Sequence, residues 1–493
     1  MTRREHLTRL NAYYSGHQYD DRPASWDTCL DQRTGAAIPF RSRKPSTILP
    51  IPKLVCDSFS RALLGQGRRP IAVLADVDGT ADNALLAGII KEARLYRVLR
   101  ESTRRALSLG TGIVAWKMLD GGYSAESWDP TWATPVFLPG RFPHLASIDY
   151  RFPFKREVDG QEKTFIARQY VDAKSWQVWT PVEDIAGREP EWGASQTVQH
   201  ELGFVPCVWF IVGERCGEYD GTSVYASLLD LFDDLNYTAS QQARALYYNL
   251  DPQLVLDGVS ESDVEQLKKG GANTWTLPAG ADAKLLESSG GFVTIAQTKV
   301  DALRKVILDS CAVILNDPER ISGGQSGSAL ELLLQPMITA TDDLREDIGD
   351  GALVPVLQQM LAALGHPALA VVRDRLGAGK LPSGPWSSLP VTLHWGTHLP
   401  STPADALTAA QAVTAAVGLG LISRGAAARY LAGHFGIADT EQDQLDVEAD
   451  EDRQDQRVVA TTKNSEIALG LDQEPVTVPP RNGKRATVTK EAP

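Results

Sequence analysis

Two carboxylates in the first fifth of the chain have the spacing that most directly suggests chemistry. Asp76 and Asp78 flank one residue in the string Asp-Val-Asp-Gly-Thr, directly after the apolar run Ile71–Ala75. A carboxylate can act as a nucleophile towards phosphorus, and a second carboxylate two residues on can serve as acid and base for the same transfer. The pattern therefore raises the hypothesis of an enzyme that acts on phosphate esters.

This string resembles the nucleophile motif of haloacid dehalogenase-type phosphatases, but the residues around it do not fit that fold. Such chemistry also needs Mg²⁺ held by further carboxylates, a Ser or Thr after a second strand, a Lys and a doubly wound parallel sheet. Residues 76–109 show no alternation of strands and helices, only a turn and a helix. The favoured interpretation is an Asp/Gly turn that caps a helix beginning near Asn83, and the phosphatase stays as the alternative.

A glycine-rich loop and two histidines match no complete binding signature. The loop consists of Gly323, Gly324, Gln325, Ser326 and Gly327. It looks like a phosphate-cradling loop, yet the Lys-Ser/Thr pair of a P-loop is absent, which disfavours ATP hydrolysis. His394 and His398 lie four residues apart in a segment bounded by Pro and Gly, where ordinary polar roles are expected.

Three aspartates recur on one side of a predicted helix. Asp230, Asp233 and Asp234 stand at positions i, i+3 and i+4, so their side chains share a helix face. We interpret this face as a solvated or subunit-facing acidic stripe, with a metal site as the alternative. The sequence therefore predicts no catalytic residues, no metal site and no cofactor.

The composition is that of an ordinary globular protein, but its charge is unevenly distributed. The chain has 493 residues, a net charge of −13 and 43% hydrophobic residues, which allows roughly two to four domains. An acidic chain is a poor DNA coat, because non-specific affinity comes mainly from phosphate neutralisation by Lys and Arg. One acidic run comprises Asp439, Glu441, Asp443, Asp446, Glu448, Asp450, Glu451, Asp452 and Asp455. With Arg453 as its one base, the run carries −8, more than half of the net charge.

Neither the cysteines nor the apolar runs indicate an exported or membrane protein. The cysteines are scattered without a CxxC pair, which predicts reduced, mostly buried thiols at Cys29, Cys56, Cys207, Cys216 and Cys311. No run reaches the ~20 apolar residues of a bilayer span, and the first residues lack the apolar core of a signal peptide. We therefore expect a protein of a cytoplasm-like compartment with no membrane contact.

Hydrophobic periodicity predicts an α+β region followed by a mainly helical one. The first region is predicted to contain helices at Arg4–Tyr14, Ile51–Leu64 (closed by Gly65) and Asn83–Leu109 (ended by Gly110), and strands at Ile113–Leu119, Phe165–Val171, Trp176–Val182 and Val205–Val212. Later helices are predicted at Ser223–Tyr248, Glu261–Lys269, Val300–Leu315, Ser328–Leu364, Ala404–Leu419 and Ser423–Phe435. The helix predicted at Ser328–Leu364 should be kinked or interrupted at Pro336 and Pro355.

The segment between the helices predicted at Ser223–Tyr248 and Val300–Leu315 is predicted to contain a compact insert, Gln253–Thr298. The insert has strand-like pieces at 254–258, 273–278 and 292–297. A Pro/Gly-rich strand region is predicted at Leu376–Pro400. From Arg457 onward the apolar density falls and prolines accumulate, which predicts a disordered tail over residues 456–493.

The order of these elements resembles the portal proteins of tailed bacteriophages, in the siphophage-type family. The resemblance covers Tyr13 to about Asp455. Local matches are Tyr13–Gly16, Lys53–Asp57 leading to Leu64-Gly65, Ala106–Gly112, His200–Pro206, Gly221–Ser223 heading a helix that contains Leu229–Asn236, Gln325–Leu330 and Gly420–Ser423.

This resemblance implies a portal fold with an α/β wing, a helical stem, a small α/β clip, a long kinked helix and a helical crown. The implied boundaries are a wing at 1–222, stem helices at 223–248 and 300–315 around a clip at 249–299, a tunnel loop at 316–327, a kinked helix with wing return at 328–400, a crown at 401–455 and the tail.

The resemblance also implies a function and partners. Family members form a ring, typically of twelve subunits, at one capsid vertex, where double-stranded DNA passes during packaging and ejection. The implied partners are further copies of the chain, the terminase large subunit, a head-tail adaptor, the major capsid and scaffolding proteins, and the passing DNA, but no membrane. The implied location is the virion, after assembly in the host cytoplasm. Another minor head or virion structural protein remains a second alternative.

The charge pattern is compatible with a conduit for DNA. A channel lined by carboxylates or neutral groups repels phosphate, so bound states that would stall DNA are shallow. The tunnel loop offers Glu319 and Arg320 beside its glycines, hence one positive contact per subunit on a flexible segment. The basic arm Arg41–Lys44 and the tail segment Arg481–Arg485 match no family role; they are read as solvated, with contact to a neighbouring subunit or the capsid lining as the sharper hypothesis.

Overall fold

A computed structural model of the chain describes most of the first 400 residues and one helix beyond them. The described residues are 1–22, 35–36, 38–65, 67–75, 81–119, 122–185, 188–250, 253–258, 280, 282–286, 291–314, 327–376, 385–396, 398, 403–421, 427 and 431. The chain divides into two units, Met1–His398 and Leu399–Pro493.

The first unit combines α-helices with antiparallel strands, so the expected α+β class is confirmed. The α-helices are α1 (Arg3–Ser15), α2 (Ile51–Leu64), α3 (Asn83–Glu92), α4 (Leu95–Leu109), α5 (Leu229–Leu250), α6 (Gly291–Ser310), α7 (Gly327–Ile348), α8 (Val354–Ala363), α9 (Ala370–Arg375) and, in the second unit, α10 (Pro403–Gly418). The strands are β1 (Ile71–Ala75), β2 (Ala81–Asp82), β3 (Thr111–Leu119), β4 (Gly122–Trp128), β5 (Ala133–Phe137), β6 (Leu145–Val158), β7 (Gln161–Asp172), β8 (Ser175–Glu183), β9 (Ser195–Gln199), β10 (Cys207–Ile211), β11 (Gln253–Asp257), β12 (Asp282–Leu286) and β13 (Val391–His394).

Local signals set the ends of the first helices. Thr2 and Glu5 form a capping box at the start of α1, and Gly16 ends that helix in the left-handed conformation with φ 81°. Helix α2 matches the predicted bounds and ends at Gly65. These ends could be predicted because each depends on residues within one helical turn.

The predicted single helix Asn83–Leu109 is wrong, because the chain breaks it into α3 and α4. Arg94 adopts φ 50°, outside the right-handed helical region, and turns the chain between the two helices. The turn allows Ile89 before it and Leu95 and Leu99 after it to be buried in the same core. Burial of these side chains therefore outweighs the unfavourable backbone conformation of Arg94.

The strands form four antiparallel sheets. A five-stranded sheet has the order β5-β6-β7-β8-β9, two three-stranded sheets have the orders β10-β3-β4 and β13-β1-β2, and β11 pairs with β12. The predicted strands at 113–119, 165–171 and 176–182 lie within β3, β7 and β8, and the predicted strand at 205–212 contains β10. Strand β6 was not predicted, because its far half carries charged residues such as Lys155 and Arg156 on an exposed hairpin.

Two hydrophobic cores hold the first unit together. The larger core joins helices α1–α4 to α5, α7 and α8, and Trp116 crosses it to donate from its indole N–H to the side-chain oxygen of Gln359 at 2.9 Å. The smaller core lies between the sheets and is mainly aromatic, with Trp128 stacked on Tyr150 at 4.5 Å between ring centroids. The predicted role of the tryptophans in core packing is confirmed for these two residues.

The long helical pattern is interrupted once, and not at Pro336. That proline lies inside α7, where it is exposed. A five-residue π-helical segment, Gly349–Leu353, separates α7 from α8, and Pro355 lies in the first turn of α8, where it has no N–H to lose. A side chain on Gly349 would stand 3.1 Å from the Trp395 ring, so this segment packs closely against the strand after the helices.

The insert between α5 and α6 differs from its prediction. Residues 292–297 were predicted to form a strand but belong to helix α6, because in a helix Val293 and Ala296 join Val300 and Leu303 on one side. Strand β12 was not predicted, whereas β11 matches the piece at 254–258. The predicted helix Glu261–Lys269 and the piece at 273–278 lie outside the described residues.

Helix α10 matches the first predicted Ala-rich helix of the second unit, whereas the second predicted helix and the tail fall almost entirely on residues outside the description. Among the described residues no single helix is long and apolar enough to cross a membrane; one helix pair bent by 95°, Leu332–Ala363 with Pro367–Arg375, meets the requirement by length and composition alone.

Candidate functional site

The acidic residues predicted on the first stem helix lie on α5, but their surroundings differ sharply. Asp233 is surrounded by tyrosines: its carboxylate accepts from the hydroxyls of Tyr13 at 2.9 Å and Tyr19 at 2.5 Å. Asn236, one turn on, donates to the Tyr19 hydroxyl at 3.2 Å. Asp233 therefore connects α5 to the N-terminal helix and to the loop that follows it.

Burial and the nearby carboxylate both act on these tyrosines. Burial and Asp233 together raise the pKa of Tyr13 to about 12, and the same two causes raise the pKa of Tyr19 further. Both hydroxyls therefore stay protonated at neutral pH, which is the state that donates to Asp233. Sequence analysis missed this pairing, since the tyrosines lie more than two hundred residues before it.

The segment before α2 runs along α5 and is fastened to it by backbone hydrogen bonds. The N–H of Thr47 donates to the Ser240 hydroxyl at 2.9 Å, and the N–H of Leu49 donates to the side-chain oxygen of Asn236 at 2.9 Å. The Tyr237 hydroxyl donates to the carbonyl of Arg41 at 2.7 Å. One side of α5 is thus covered by the chain's own N-terminal arm, residues 38–49.

The basic residues of this arm have partners within the chain. The Arg41 guanidinium lies 3.0 Å from Asp234, and the Lys44 ammonium lies 2.8 Å from Asp20. Arg43 donates to the carbonyl of Ile38 at 2.8 Å. The side chains of Arg41 and Asp234 remain 78% and 39% exposed, so solvent weakens this ion pair.

The three aspartates predicted to form one stripe therefore lie in three environments. Asp233 is hydrogen-bonded to tyrosines, Asp234 is ion-paired at the surface, and Asp230 is exposed with no ion pair or side-chain hydrogen bond to another described residue. The three aspartates lie on one helix, as their spacing predicts, but of these three only Asp230 and Asp234 present carboxylates to solvent.

A second polar cluster lies on α7, close to the π-helical segment. Arg345 lies 3.4 Å from Asp342, donates to the carbonyl of Gly396 at 2.8 Å, and contacts His398 at 2.9 Å. Burial lowers the pKa of this guanidinium. His398 also bonds Asp342 at 2.7 Å, whereas His394 pairs with Ile71 in a sheet, so the two histidines have separate structural roles.

Several predicted positions fall outside the described residues. These are Asp76 and Asp78, the tunnel-loop residues Glu319, Arg320, Gly323, Gly324, Gln325 and Ser326, and the whole acidic run from Asp439 to Asp455. Gly327, the last residue of the predicted loop, is the first residue of α7.

The described residues contain no group of three or more His, Cys, Asp or Glu side chains placed to hold a metal ion.

Four cysteines are free thiols, of which Cys56, Cys207 and Cys311 are buried and Cys216 is exposed. Burial raises the pKa of the Cys311 thiol to about 11, which makes it a poor nucleophile at neutral pH.

Comparison with known proteins points to one family. The family described as "Phage portal protein, SPP1 Gp6-like" matches residues 154–455. No curated protein matches the chain.

Among solved structures, the chain is similar to a protein in the neck of an empty gene transfer agent (GTA) particle computed with C6 symmetry, at 13% identity and a TM-score of 0.39, over 79% of this chain and 95% of that one. It is also similar to a chain in the virion of a native GTA particle, at 15% identity and a TM-score of 0.38, over 77% and 88% of the two chains.

The family match runs from β6 through α5, α6, the π-helical segment and α10 to the acidic run, which is the order of elements that suggested the resemblance. It spans more than half of the chain and leaves the phosphatase hypothesis without support. The protein therefore belongs to the SPP1 Gp6-like family of phage portal proteins, structural and non-enzymatic components of the virion.

Proposed function

We propose that this protein forms a ring at one vertex of a phage capsid, with the twelve subunits that are typical of the family. Double-stranded DNA would pass through its central channel during packaging and ejection. The observation that carries the proposal is the family match over residues 154–455, which includes both predicted stem helices and the acidic run.

The domain assignment follows the predicted boundaries. Residues 1–222 would form the wing, residues 223–248 and 300–315 the stem, 249–299 the clip, 316–327 the tunnel loop, 328–400 the kinked helix and wing return, and 401–455 the crown. Three features support it: an α/β region before α5, a helical hairpin of α5 and α6 that encloses a small sheet, and the π-helical break in the long helix.

The distribution of charge supports a channel through which DNA passes without being held. The acidic run carries −8 over seventeen residues, and a ring would gather one such run from every subunit into a collar that repels phosphate. Arg320 on the tunnel loop would supply a weak positive contact, and Gly323, Gly324 and Gly327 would let the loop adjust to the moving duplex.

The proposed partners are those of a vertex complex. The terminase large subunit and later a head-tail adaptor would bind at the clip, and the major capsid and scaffolding proteins would contact the outer surface. The duplex would be a passing partner. Of the basic residues in the arm, Arg41 and Lys44 have partners within the chain, which argues against their being reserved for the capsid lining.

Electron microscopy of the purified full chain tests the proposal. We expect rings with a central hole, and light scattering should give a mass many times that of the 53.6 kDa chain. A protein that stays monomeric at every salt concentration, with no rings in the images, would refute the proposed function.

A phosphatase assay separates the enzyme alternative from the ring. We expect no Mg²⁺-dependent hydrolysis of p-nitrophenyl phosphate. Hydrolysis that disappears in Asp76→Asn would revive the enzyme hypothesis.

A further inference from the structure

Helix α6 has more apolar surface than its partner α5 covers. Its inner row packs towards α5 and consists of Ala296, Val300, Leu303 and Ile307, which are half-buried except for the fully buried Ile307. A second row, one residue earlier in the sequence, consists of Ile295, Lys299, Ala302 and Val306 and is exposed throughout. Rows offset by one residue lie about 100° apart around a helix, so the outer row adjoins the inner one.

The outer row is unusual because it is both exposed and apolar. Ile295 is 72% exposed and Val306 is 51% exposed, although they lie three turns apart on the same side of the helix. A solvent-facing helix side normally carries polar residues, and an apolar row beside a packed row indicates a helix with two partners. The described part of the chain supplies one of these partners, α5.

The exposed row of α5 differs in chemistry. It consists of the exposed Asp230 and Gln241 and the half-buried Asp234, Thr238 and Ala245, which recur every three or four residues on one side of the helix. The side of α5 that faces the N-terminal arm and the side that faces α6 are already occupied. Over residues 229–245, what remains is a narrow polar row that is acidic at its N-terminal end; beyond it, Leu246 and Tyr247 near the end of α5 are also exposed.

The charges of the two rows are complementary. Lys299 lies within the outer row of α6 and Lys305 borders it, so together they outweigh Asp309 on the same side. Neither lysine has an ion pair within the described residues. Asp230 on α5 also has no partner there, and Asp234 has only the exposed Arg41.

The direction of the hairpin brings these charges to one level. Gln242 of α5 donates to Gln297 of α6 at 2.8 Å, and Cys311 just after α6 contacts the carbonyl of Val224 just before α5. The helices are therefore antiparallel, with Lys305 near the same end of the hairpin as Asp230. When two copies stand side by side in the same direction, Lys305 of one copy reaches the height of Asp230 and Asp234 of the next.

We propose that the outer row of α6 docks on the exposed row of α5 in a second copy of the chain. The contact is head-to-tail, since it joins two different surfaces, and such a contact closes into a ring when its rotation divides the circle. This inference rests on the ring proposed above and assigns Asp230 and Asp234 to the subunit boundary instead of the DNA channel.

A charge swap in the full chain tests the pairing. We expect Lys305→Glu and Asp230→Lys each to raise the subunit concentration needed for ring formation by about tenfold or more, because like charges then face each other. The double variant Lys305→Glu/Asp230→Lys should restore most of the assembly. Arg304→Glu is the matched control. It makes the same charge change on the side of α6 opposite the outer row and should leave assembly unchanged.

Disulfide cross-linking gives a readout that does not depend on assembly strength. In a chain with Cys29→Ser and Cys216→Ser, the pair Ile295→Cys/Gln241→Cys should give a ladder of covalently linked subunits on oxidation, because these residues lie at the same height of the hairpin. The pair Thr294→Cys/Gln241→Cys, which points the first thiol away from the outer row at nearly the same height, should not.

The outcomes separate this inference from the proposed function. Rings that form normally but give no ladder, with no rescue in the double charge variant, would overturn the docking proposal and leave the ring in place. Failure of the unmodified chain to form any ring would instead overturn the proposed function. A ladder together with rescue by the charge swap would establish the contact.

Discussion

The two helices of the α5–α6 hairpin differ in how their sides are covered. Helix α5 buries Phe232 and Leu235 in the main core and is fastened on another side by the N-terminal arm. Of the α6 side chains that the structure describes, Ile307 alone is fully buried, and Ile295 and Val306 lie in solvent. Over residues 229–245, α5 is therefore anchored by its own chain, and the docking proposed above would cover the exposed apolar residues of α6.

The largest expected effect compares a buried apolar residue of α5 with an exposed apolar residue of α6. Phe232→Ala should destabilise the dissociated subunit by about 3–5 kcal/mol, because it leaves a cavity at a residue that is 2% exposed. Ile295→Ala is the matched control on α6 and should change the subunit's unfolding free energy by less than about 0.5 kcal/mol. Urea unfolding followed by tryptophan fluorescence measures both. Equal losses in the two variants would contradict the distinction.

The next effect compares two aspartates on the same helix. Asp233→Ala should cost about 1.5–3 kcal/mol, because the Tyr13 and Tyr19 hydroxyls lose a charged acceptor. Asp230→Ala, which removes a solvent-exposed carboxylate, should stay within about 0.5 kcal/mol. The same unfolding measurement separates them. A loss at Asp230 as large as that at Asp233 would show that the two carboxylates are not in different environments.

A pH titration tests the covered side of α5 through its tyrosines. Burial and Asp233 raise the pKa of Tyr13 from 10.0 to about 12, so the folded state holds this proton more tightly than the unfolded state. The stability linked to Tyr13 is therefore complete below pH 10 and is lost as the pH rises to about 12. Unfolding midpoints across this range should fall less steeply in Tyr13→Phe. An unchanged slope would place Tyr13 outside the network.

The smallest expected effect concerns the arm's surface ion pair. Arg41→Gln should change the unfolding free energy by about 0.5 kcal/mol or less, because both partners are exposed to solvent and salt screens their attraction. Asn236→Ala, which removes a buried acceptor of the Leu49 N–H, should have a larger effect. If Arg41→Gln proved the more damaging change, the arm would be held mainly by charge and not by its backbone hydrogen bonds.

Much of the fold was predictable where a single segment contains its own signal. The bounds of α2 and the cap at Gly16 follow from residues within one turn, and β3, β7, β8 and β10 follow from runs of Val, Ile, Phe and Trp. The family was also accessible from the order of elements. Strand β6 and helix α6 were missed or misassigned because their surroundings, and not their own propensities, decide their structure.

The candidate site was predictable only as a set of residue types. The spacing of Asp230, Asp233 and Asp234 determined that they share a side of one helix, since three and four residues make nearly a full turn. Which carboxylate is enclosed was decided by the tertiary structure, because Tyr13, Tyr19 and the arm come from a distant part of the chain and pack on only one side of α5. The sequence by itself thus determined the family, the helices whose ends carry local signals and the location of the charge, and long-range packing decided which of those charges stay available to another molecule.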